Sequence, residues 1–188
     1  METIKTIELN KLRDEAYQNA VEHGWHDENL STEHFLCLII SELMEAVQAE
    51  RKGKRADVAK FKEWQNNISF SEETRLKRFQ EDFEAYIKDS VEDECADACI
   101  RIFGVSHPYS LSIHELRKLT FTEWCFDITA VITRYDHLFG FAMDAVFIKI
   151  IDEMYFMSKI KGFDLLWHIE LKMKYNRTRP RMHGNNKF

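Results

Sequence analysis

Two pairs of acidic residues have a spacing that suits metal or acid–base chemistry. Glu42 and Glu45 are three residues apart in SELMEA, and Glu94 and Asp97 are three apart in DECAD. On a helix, side chains three residues apart lie on one face. Glu42 interrupts the apolar stripe of the helical segment that includes FLCLII. Glu94 interrupts the apolar stripe of a later helical segment. Because charges on a core-facing stripe are costly unless they are paired or bind a metal, these positions mark the acids as candidate ligands.

Two explanations of these acids follow from the residues alone. In the first, Glu42 and Glu94 form salt bridges with Arg or Lys of neighbouring helices, or lie at the rim of an oligomer interface. In the second, two antiparallel helices bring four carboxylates together as a cage of hard oxygen ligands for Mg²⁺ or Mn²⁺. A di-iron bundle is disfavoured, because it uses Glu-x-x-His on two helices and no histidine here has an acid three residues before it.

The helices that carry these acids have recognisable ends. One helix is predicted over 32–52, with Ser31 near its N-terminal cap and Gly53 as its stop. Its segment FLCLII is apolar on nearly every side, as in a helix buried between layers. The other is predicted over 81–103, and a capping residue at Ser90 would divide it in two. Each acid pair therefore lies within a predicted helix.

Helical periodicity recurs along the chain and predicts one all-α domain over 1–188, a multi-helix bundle with a four-helix metal-binding core. The polar stretch 54–80 is predicted to be an insertion, with a short helix around Val58–Trp64 and then a loop. A basic, loop-like tail is predicted at about 177–188. The remaining helices are predicted over 8–22, about 111–119, 120–139, 141–161 and 164–176, the last with Asp164 as its N-cap.

Composition excludes several classes of protein. The 188 residues are 45% hydrophobic, with 6 Gly, 2 Pro and no Asn-Gly or Asp-Gly turn signal, which favours helices over a β-sandwich or disorder. The net charge of −6 disfavours binding to duplex nucleic acid. No segment has the character of an export signal or a membrane span. The four cysteines lack a metal-type spacing, so we expect a cytoplasmic protein with reduced thiols.

The acidic motifs and their surroundings resemble a known family. LIISELMEAVQAERKGKRA, IKDSVEDECADACIRIFG and HIELKMKYNRTRPRMHGNNKF are similar to the MazG-like all-α nucleoside triphosphate pyrophosphohydrolases, relatives of the dimeric dUTPases. The family pattern is E-E-x-x-E on one helix and E-x-x-D on a following one, and Ser41 stands here at the place of the first acid. The resemblance implies that Glu42, Glu45, Glu94 and Asp97 hold Mg²⁺, with Mn²⁺ as a substitute.

The resemblance also implies a reaction. Family members cleave the α–β phosphoanhydride of a nucleotide to a monophosphate and pyrophosphate, which depends on neutralising and positioning a polyanion. Bound metal would bridge the phosphates and lower the pKa of the attacking water. Glu45 by preference, or else Glu42, would orient or deprotonate that water.

Candidate substrate-binding residues lie in two basic segments. The resemblance points to Lys172, Asn176 and Arg179, which stand as K-x-x-x-N-x-x-R. On a helix, Lys172 and Asn176 face the same way. Lys54 and Arg55, directly after the first acidic helix, are weaker candidates for phosphate binding. In both segments the alternative is a solvated basic stretch without a ligand.

Together these features predict a nucleotide hydrolase that acts as a homodimer or larger homo-oligomer, since 120–161 is rich in Met and aromatic residues. The alternative is a noncatalytic helical nucleotide-binding or scaffolding protein with structural acid clusters. Trp25 is interpreted as a core residue or as a ring that stacks on a base. The His26-Asp27 dipeptide is interpreted as chance, because metal-dependent HD phosphohydrolases need further His and Asp ligands.

Overall fold

The computed structural model describes residues 6–25, 30–63, 70–105, 119–134 and 141–180, which form eight α-helices with no strand among them. The prediction of an all-α, multi-helix bundle is confirmed. Within these ranges, no helix combines the length and the apolar character that crossing a bilayer requires. The helices are α1 (Thr6–Glu22), α2 (Thr32–Lys52), α3 (Val58–Glu63), α4 (Glu72–Tyr86), α5 (Val91–Phe103), α6 (Phe121–Ile132), α7 (Phe141–Lys161) and α8 (Leu165–Arg177).

Helices α2 and α5 lie at the centre of the bundle and run antiparallel. The backbone N–H of Val91, at the start of α5, donates to the carbonyl of Lys54, just after the end of α2. Near the other end of α5, Arg101 pairs with Glu42 in the middle of α2. Helices α1 and α8 pack against α5 and against each other, and α6 packs against α2. The two acid-bearing helices are therefore enclosed by the others.

The apolar stripes of α2 and α5 face the core as predicted. Ile39 and Leu43 on α2 and Ile102 on α5 are fully buried. Glu42 and Glu94 lie on the same stripes and are only 8% and 4% exposed. The predicted burial of these two acids is confirmed.

Capping residues define the ends of the acid-bearing helices. The side chain of Ser31 accepts the backbone N–H of His34 at the start of α2. Gly53 ends α2 with φ of 66°, a left-handed conformation that favours a residue without Cβ. Ser90 caps α5 by accepting the N–H of Asp93, so the predicted break at this residue is confirmed.

The chain between α3 and α5 differs from the prediction. We expected a loop up to residue 80, but α4 begins at Glu72, where the side chain of Ser71 caps it. Phe79 and Phe83 form the buried face of α4. Residues from distant parts of the chain pack against this narrow face. Tertiary packing therefore stabilises a helix that the local sequence predicts only weakly. The buried residues of this second core are Phe61, Phe79, Phe83, Ile87, Leu171 and Tyr175.

Other expected elements are shorter than predicted or fall outside the described residues. Helix α6 ends at Ile132, where a tighter turn follows in which the N–H of Arg134 donates to the carbonyl of Val131. Residues 111–118 of an expected helix lie outside the described part of the chain. The same holds for 135–139, for His26-Asp27 and for 181–188 of the basic tail.

Candidate metal centre and adjoining pocket

Three of the four predicted ligands form a compact carboxylate cluster between α2 and α5. One oxygen from each of Glu42, Glu45 and Glu94 lies within 4.8 Å of the other two. Glu42 and Glu94 are buried, whereas Glu45 is exposed and so lies at the solvent side of the cluster. Ligands on opposite sides of an ion, each at about 2.0–2.6 Å, are roughly 4–5 Å apart. One divalent ion therefore fits among these three acids.

Asp97, the fourth predicted ligand, lies beside this carboxylate cluster but forms an ion pair. Its Oδ2 is 2.6 Å from Nζ of Lys172 on α8. Asp97 is half-buried and also lines a pocket between the helices. It thus connects the carboxylate cluster, Lys172 and the pocket.

Asp93 is a buried acid that the sequence analysis did not single out. Its Oδ2 lies 2.9 Å from Nζ of Lys172 and accepts the backbone N–H of Asp89. Asp89 has φ of 55°, a conformation uncommon outside glycine. A signal was present in the sequence: the N-cap at Ser90 places Asp93 in the first turn of α5, where negative charge is favourable.

Burial raises the pKa of several acids in this region. It raises the pKa of Glu94 to about 9, with the charges of Asp93 and Asp97 as further causes. It raises the pKa of Glu42 to about 7, with Asp97 as the second cause. It raises the pKa of Asp93 to about 6, although Lys172 opposes this. For all three acids burial is the largest cause and neighbouring carboxylates add to it, so each carboxyl group keeps its proton to a higher pH than usual.

The donor set fits a hard divalent cation. Each acid of the carboxylate cluster offers a carboxylate oxygen, the atom type that Mg²⁺ and Mn²⁺ prefer. Burial lowers the pKa of Lys172, but Asp97 and Asp93 together raise it well above its usual value, so this lysine is charged. A divalent cation would add positive charge to that of Lys172 and Arg101.

A pocket adjoins the carboxylate cluster and contains the predicted substrate-binding residues of the basic segment. Its volume is about 120 Å³, and residues of α1, α2, α5 and α8 line it. Lys172, Asn176 and Arg179 line this pocket together with Asp97 and Arg101. The three residues to which the family resemblance points are therefore brought together beside the acids.

Arg55 is not among the residues that line this pocket. Its Nε donates to Oε1 of Glu92 at 2.5 Å, and its Nη2 donates to the carbonyl of Lys161 at 3.1 Å. Lys54 pairs with Asp89 at 3.2 Å. These contacts join the segment after α2 to the start of α5 and the end of α7.

Arg101 and Trp25 lie where the carboxylate cluster and the pocket meet. Nε of Arg101 donates to Oε1 of Glu42 at 3.1 Å. The guanidinium carbon lies 5.8 Å from the centre of the Trp25 ring. Trp25 is half-buried and lines the pocket, so it is not a residue of the buried core. The sequence around Arg101 does not mark this residue, because its partners come from α2 and from the turn after α1.

Two polar residues of α1 and its C-terminal turn complete the pocket. Asn19 is 6% exposed, and its Oδ1 has no hydrogen-bond partner within the described part of the chain. The ring of His23 lies 2.8 Å, through Nδ1, from the carbonyl of Asn19 and 3.2 Å, through Nε2, from the carbonyl of Arg179. His23 thereby connects α1 to the segment that carries Arg179.

Comparisons with protein-family models, with curated proteins and with solved structures found no match for this chain.

Proposed function

We propose that this protein is a Mg²⁺-dependent nucleoside triphosphate pyrophosphohydrolase that forms a monophosphate and pyrophosphate. One observation carries the proposal: a three-carboxylate cluster of metal-binding dimensions adjoins a pocket lined by Lys172, Asn176 and Arg179. A cluster of acids alone would repel a nucleotide, and a basic pocket alone would bind one without cleaving it. The two features side by side suit a metal-bound polyanion. The resemblance to the MazG-like family agrees with this chemistry.

Glu42, Glu45, Glu94 and Asp97 are the proposed ligands of the cation. Bound Mg²⁺ supplies charge neutralisation at the phosphates and a lowered pKa for the attacking water. Glu45 is the best candidate to orient or deprotonate that water, because it is the exposed member of the carboxylate cluster. Lys172 holds Asp97 in position through its ion pair.

The pocket supplies the proposed contacts to substrate. Arg179 offers two parallel hydrogen bonds to a phosphate, and Asn176 offers an amide to the sugar or base. Asn19 presents a buried acceptor that an N–H of the nucleoside would satisfy. Trp25 provides a ring against which a base can stack.

The direct test is a panel of ribo- and deoxynucleoside triphosphates incubated with Mg²⁺ and assayed separately for pyrophosphate and orthophosphate. We expect pyrophosphate from at least one nucleotide. Glu45→Gln should lower kcat by about 100-fold or more at unchanged melting temperature, because the side chain is exposed. Glu81→Gln, at an exposed position of α4, is the matched control and should keep full activity. Release of orthophosphate alone, or of neither product, would overturn the proposal.

A noncatalytic scaffold is the second candidate, and specific ion pairs favour it. Arg101 pairs with Glu42, and Lys172 pairs with Asp93 and Asp97, so part of the acidic charge is compensated within the protein. This candidate predicts no tight divalent-metal binding and no change of melting temperature with Mn²⁺. Glu94 distinguishes the two candidates, since its carboxylate is buried and makes no ion pair with the described residues.

The proposed active unit is a homodimer or larger homo-oligomer in the cytoplasm. Phe126 on α6 and Ile160 on α7 are 70% and 61% exposed, apolar area that a second copy would cover. The four cysteines are free thiols, which agrees with a reducing compartment. Sedimentation at micromolar concentration should give a dimer, and a fully active monomer would contradict this part of the proposal.

A further inference from the structure

Arg101 contacts the carboxylate cluster and also lines the pocket. It forms an ion pair with Glu42 at 3.1 Å while it lines the same pocket as Lys172 and Arg179. Its side chain is 33% exposed and lines the pocket, so a molecule bound there could contact it. A residue placed in this way can contact either a metal ligand or a molecule bound in the pocket.

The two basic side chains beside the acids differ in how firmly they are held. Lys172 has 8% side-chain exposure and two carboxylate partners, Asp93 and Asp97. Arg101 has one carboxylate partner among the described residues and a larger exposed fraction. Between the two, Arg101 is therefore the one that can exchange its partner more readily, provided that a cation compensates the buried carboxylate of Glu42 when Arg101 leaves.

The position of Arg101 conflicts with a cation at Glu42. A guanidinium and a divalent ion that share one carboxylate repel each other at a separation of a few ångströms. The planar fork of arginine also matches a phosphate, to which it can donate two parallel hydrogen bonds. Repulsion by the cation and attraction to a phosphate therefore both favour movement of Arg101 away from Glu42.

We propose that Arg101 is a substrate-binding residue that pairs with Glu42 in the metal-free protein and transfers to a substrate phosphate once a divalent cation is bound. This inference rests on the proposed function and adds the order in which the cation and the substrate bind. Arg101 then couples the two ligands: cation binding frees the guanidinium, and the phosphate removes it from competition for Glu42. Cation and nucleotide therefore strengthen each other's binding beyond their direct contact.

The test measures Mn²⁺ affinity by electron paramagnetic resonance in the full-length protein without nucleotide. Arg101→Gln should bind Mn²⁺ about 5- to 10-fold more tightly than wild type, because a competing charge is gone. The same variant should raise KM about 10- to 100-fold for the nucleotide that wild type cleaves best, because a charge-assisted contact is lost. Arg134→Gln, at an exposed position after α6, removes the same charge away from the pocket and should change neither value.

Arg101→Lys separates charge from geometry. Lysine keeps the positive charge but cannot make the two parallel hydrogen bonds. We expect Mn²⁺ affinity near that of wild type and a raised KM, and this variant decides the question if Arg101→Gln melts at a much lower temperature.

Each other outcome overturns the inference. If Arg101→Gln binds Mn²⁺ equally or more weakly, Arg101 is a fixed support of Glu42. If Mn²⁺ affinity rises while KM stays the same, the guanidinium does not reach substrate. Absence of Mn²⁺ binding in wild type would overturn both this inference and the proposed function, whereas wild-type binding with unchanged variants overturns this inference alone.

Discussion

The ammonium of Lys172 lies 2.9 Å from Oδ2 of Asp93, and both side chains are almost completely buried. This ion pair joins α8 to the first turn of α5, directly beside the carboxylate cluster. The same ammonium holds Asp97 at 2.6 Å. The family resemblance points to Lys172 as a substrate contact. Its ion pairs also join α8 to α5.

Replacing Lys172 should therefore destabilise the fold. In Lys172→Met the carboxylate of Asp93 stays buried without its cation, and removing one partner of a buried pair costs about 3–5 kcal/mol. The free energy of unfolding in urea measures this loss. Lys174→Met, at an exposed position of the same helix, is the control; its ammonium has no carboxylate partner among the described residues and lies 4.4 Å from the centre of the Phe79 ring, so its loss should cost at most about 1 kcal/mol.

A second substitution checks the cause of that loss. Asp93→Asn in the Lys172→Met background removes the uncompensated charge but keeps an oxygen for the N–H of Asp89. We expect the double variant to be more stable than Lys172→Met alone. If it is less stable, the loss in the single variant comes from packing and not from the buried charge.

His168 should make stability depend on pH in a defined window. Burial lowers the pKa of His168 from 6.5 to about 4, and the carboxylates of Glu92 and Asp164 offset this only in part. Between these pH values His168 is protonated in the unfolded chain but not in the folded protein. Stability therefore falls as the pH falls from about 6.5 to 4. The shift corresponds to a loss of up to about 3 kcal/mol.

His168→Leu should remove that part of the pH dependence. The relevant quantity is the difference in unfolding free energy between variant and wild type at pH 8 and at pH 4.5, because other acid-sensitive groups cancel in it. We expect the variant to gain stability relative to wild type at the lower pH. A difference that is the same at both pH values would show that His168 takes up its proton in the folded protein.

The ends of the acid-bearing helices were predictable because capping is local chemistry. Ser31, Gly53 and Ser90 each act within a few residues of their own position, so a single segment contains the whole signal. The burial of Glu42 and Glu94 was predictable for the same reason, since the neighbouring stripe residues lie on the same helix.

The start of α4 and the role of Arg101 were not predictable in this way. The buried face of α4 depends on Phe61 and Tyr175, which lie on α3 and α8. Arg101 stands on α5, and its importance arises only when α2 brings Glu42 and the turn after α1 brings Trp25. Contacts between distant segments leave no periodic pattern in any one of them.

Asn19 allows a test that separates binding from stability. Its Oδ1 is buried in the pocket without a hydrogen-bond partner among the described residues. Asn19→Leu should therefore leave the melting temperature unchanged or slightly higher, because an unsatisfied polar atom is removed. If this atom accepts a hydrogen bond from the nucleoside, kcat/KM should fall by about 10-fold or more. A lower melting temperature with unchanged kinetics would assign Asn19 to the fold instead.

Replacing Arg179 should lower activity without lowering stability. It lies after the end of α8, its guanidinium is 5.7 Å from the ring of Tyr175, and its backbone carbonyl faces His23. Arg179→Ala keeps that carbonyl, so the fold should remain intact, while a contact worth about 1.5–3 kcal/mol is lost, or roughly 10- to 150-fold in kcat/KM. A rise in KM alone would assign Arg179 to ground-state binding, and a fall in kcat would assign it to charge that develops during attack. Wild-type kinetics would show that Arg179 lines the pocket without touching substrate.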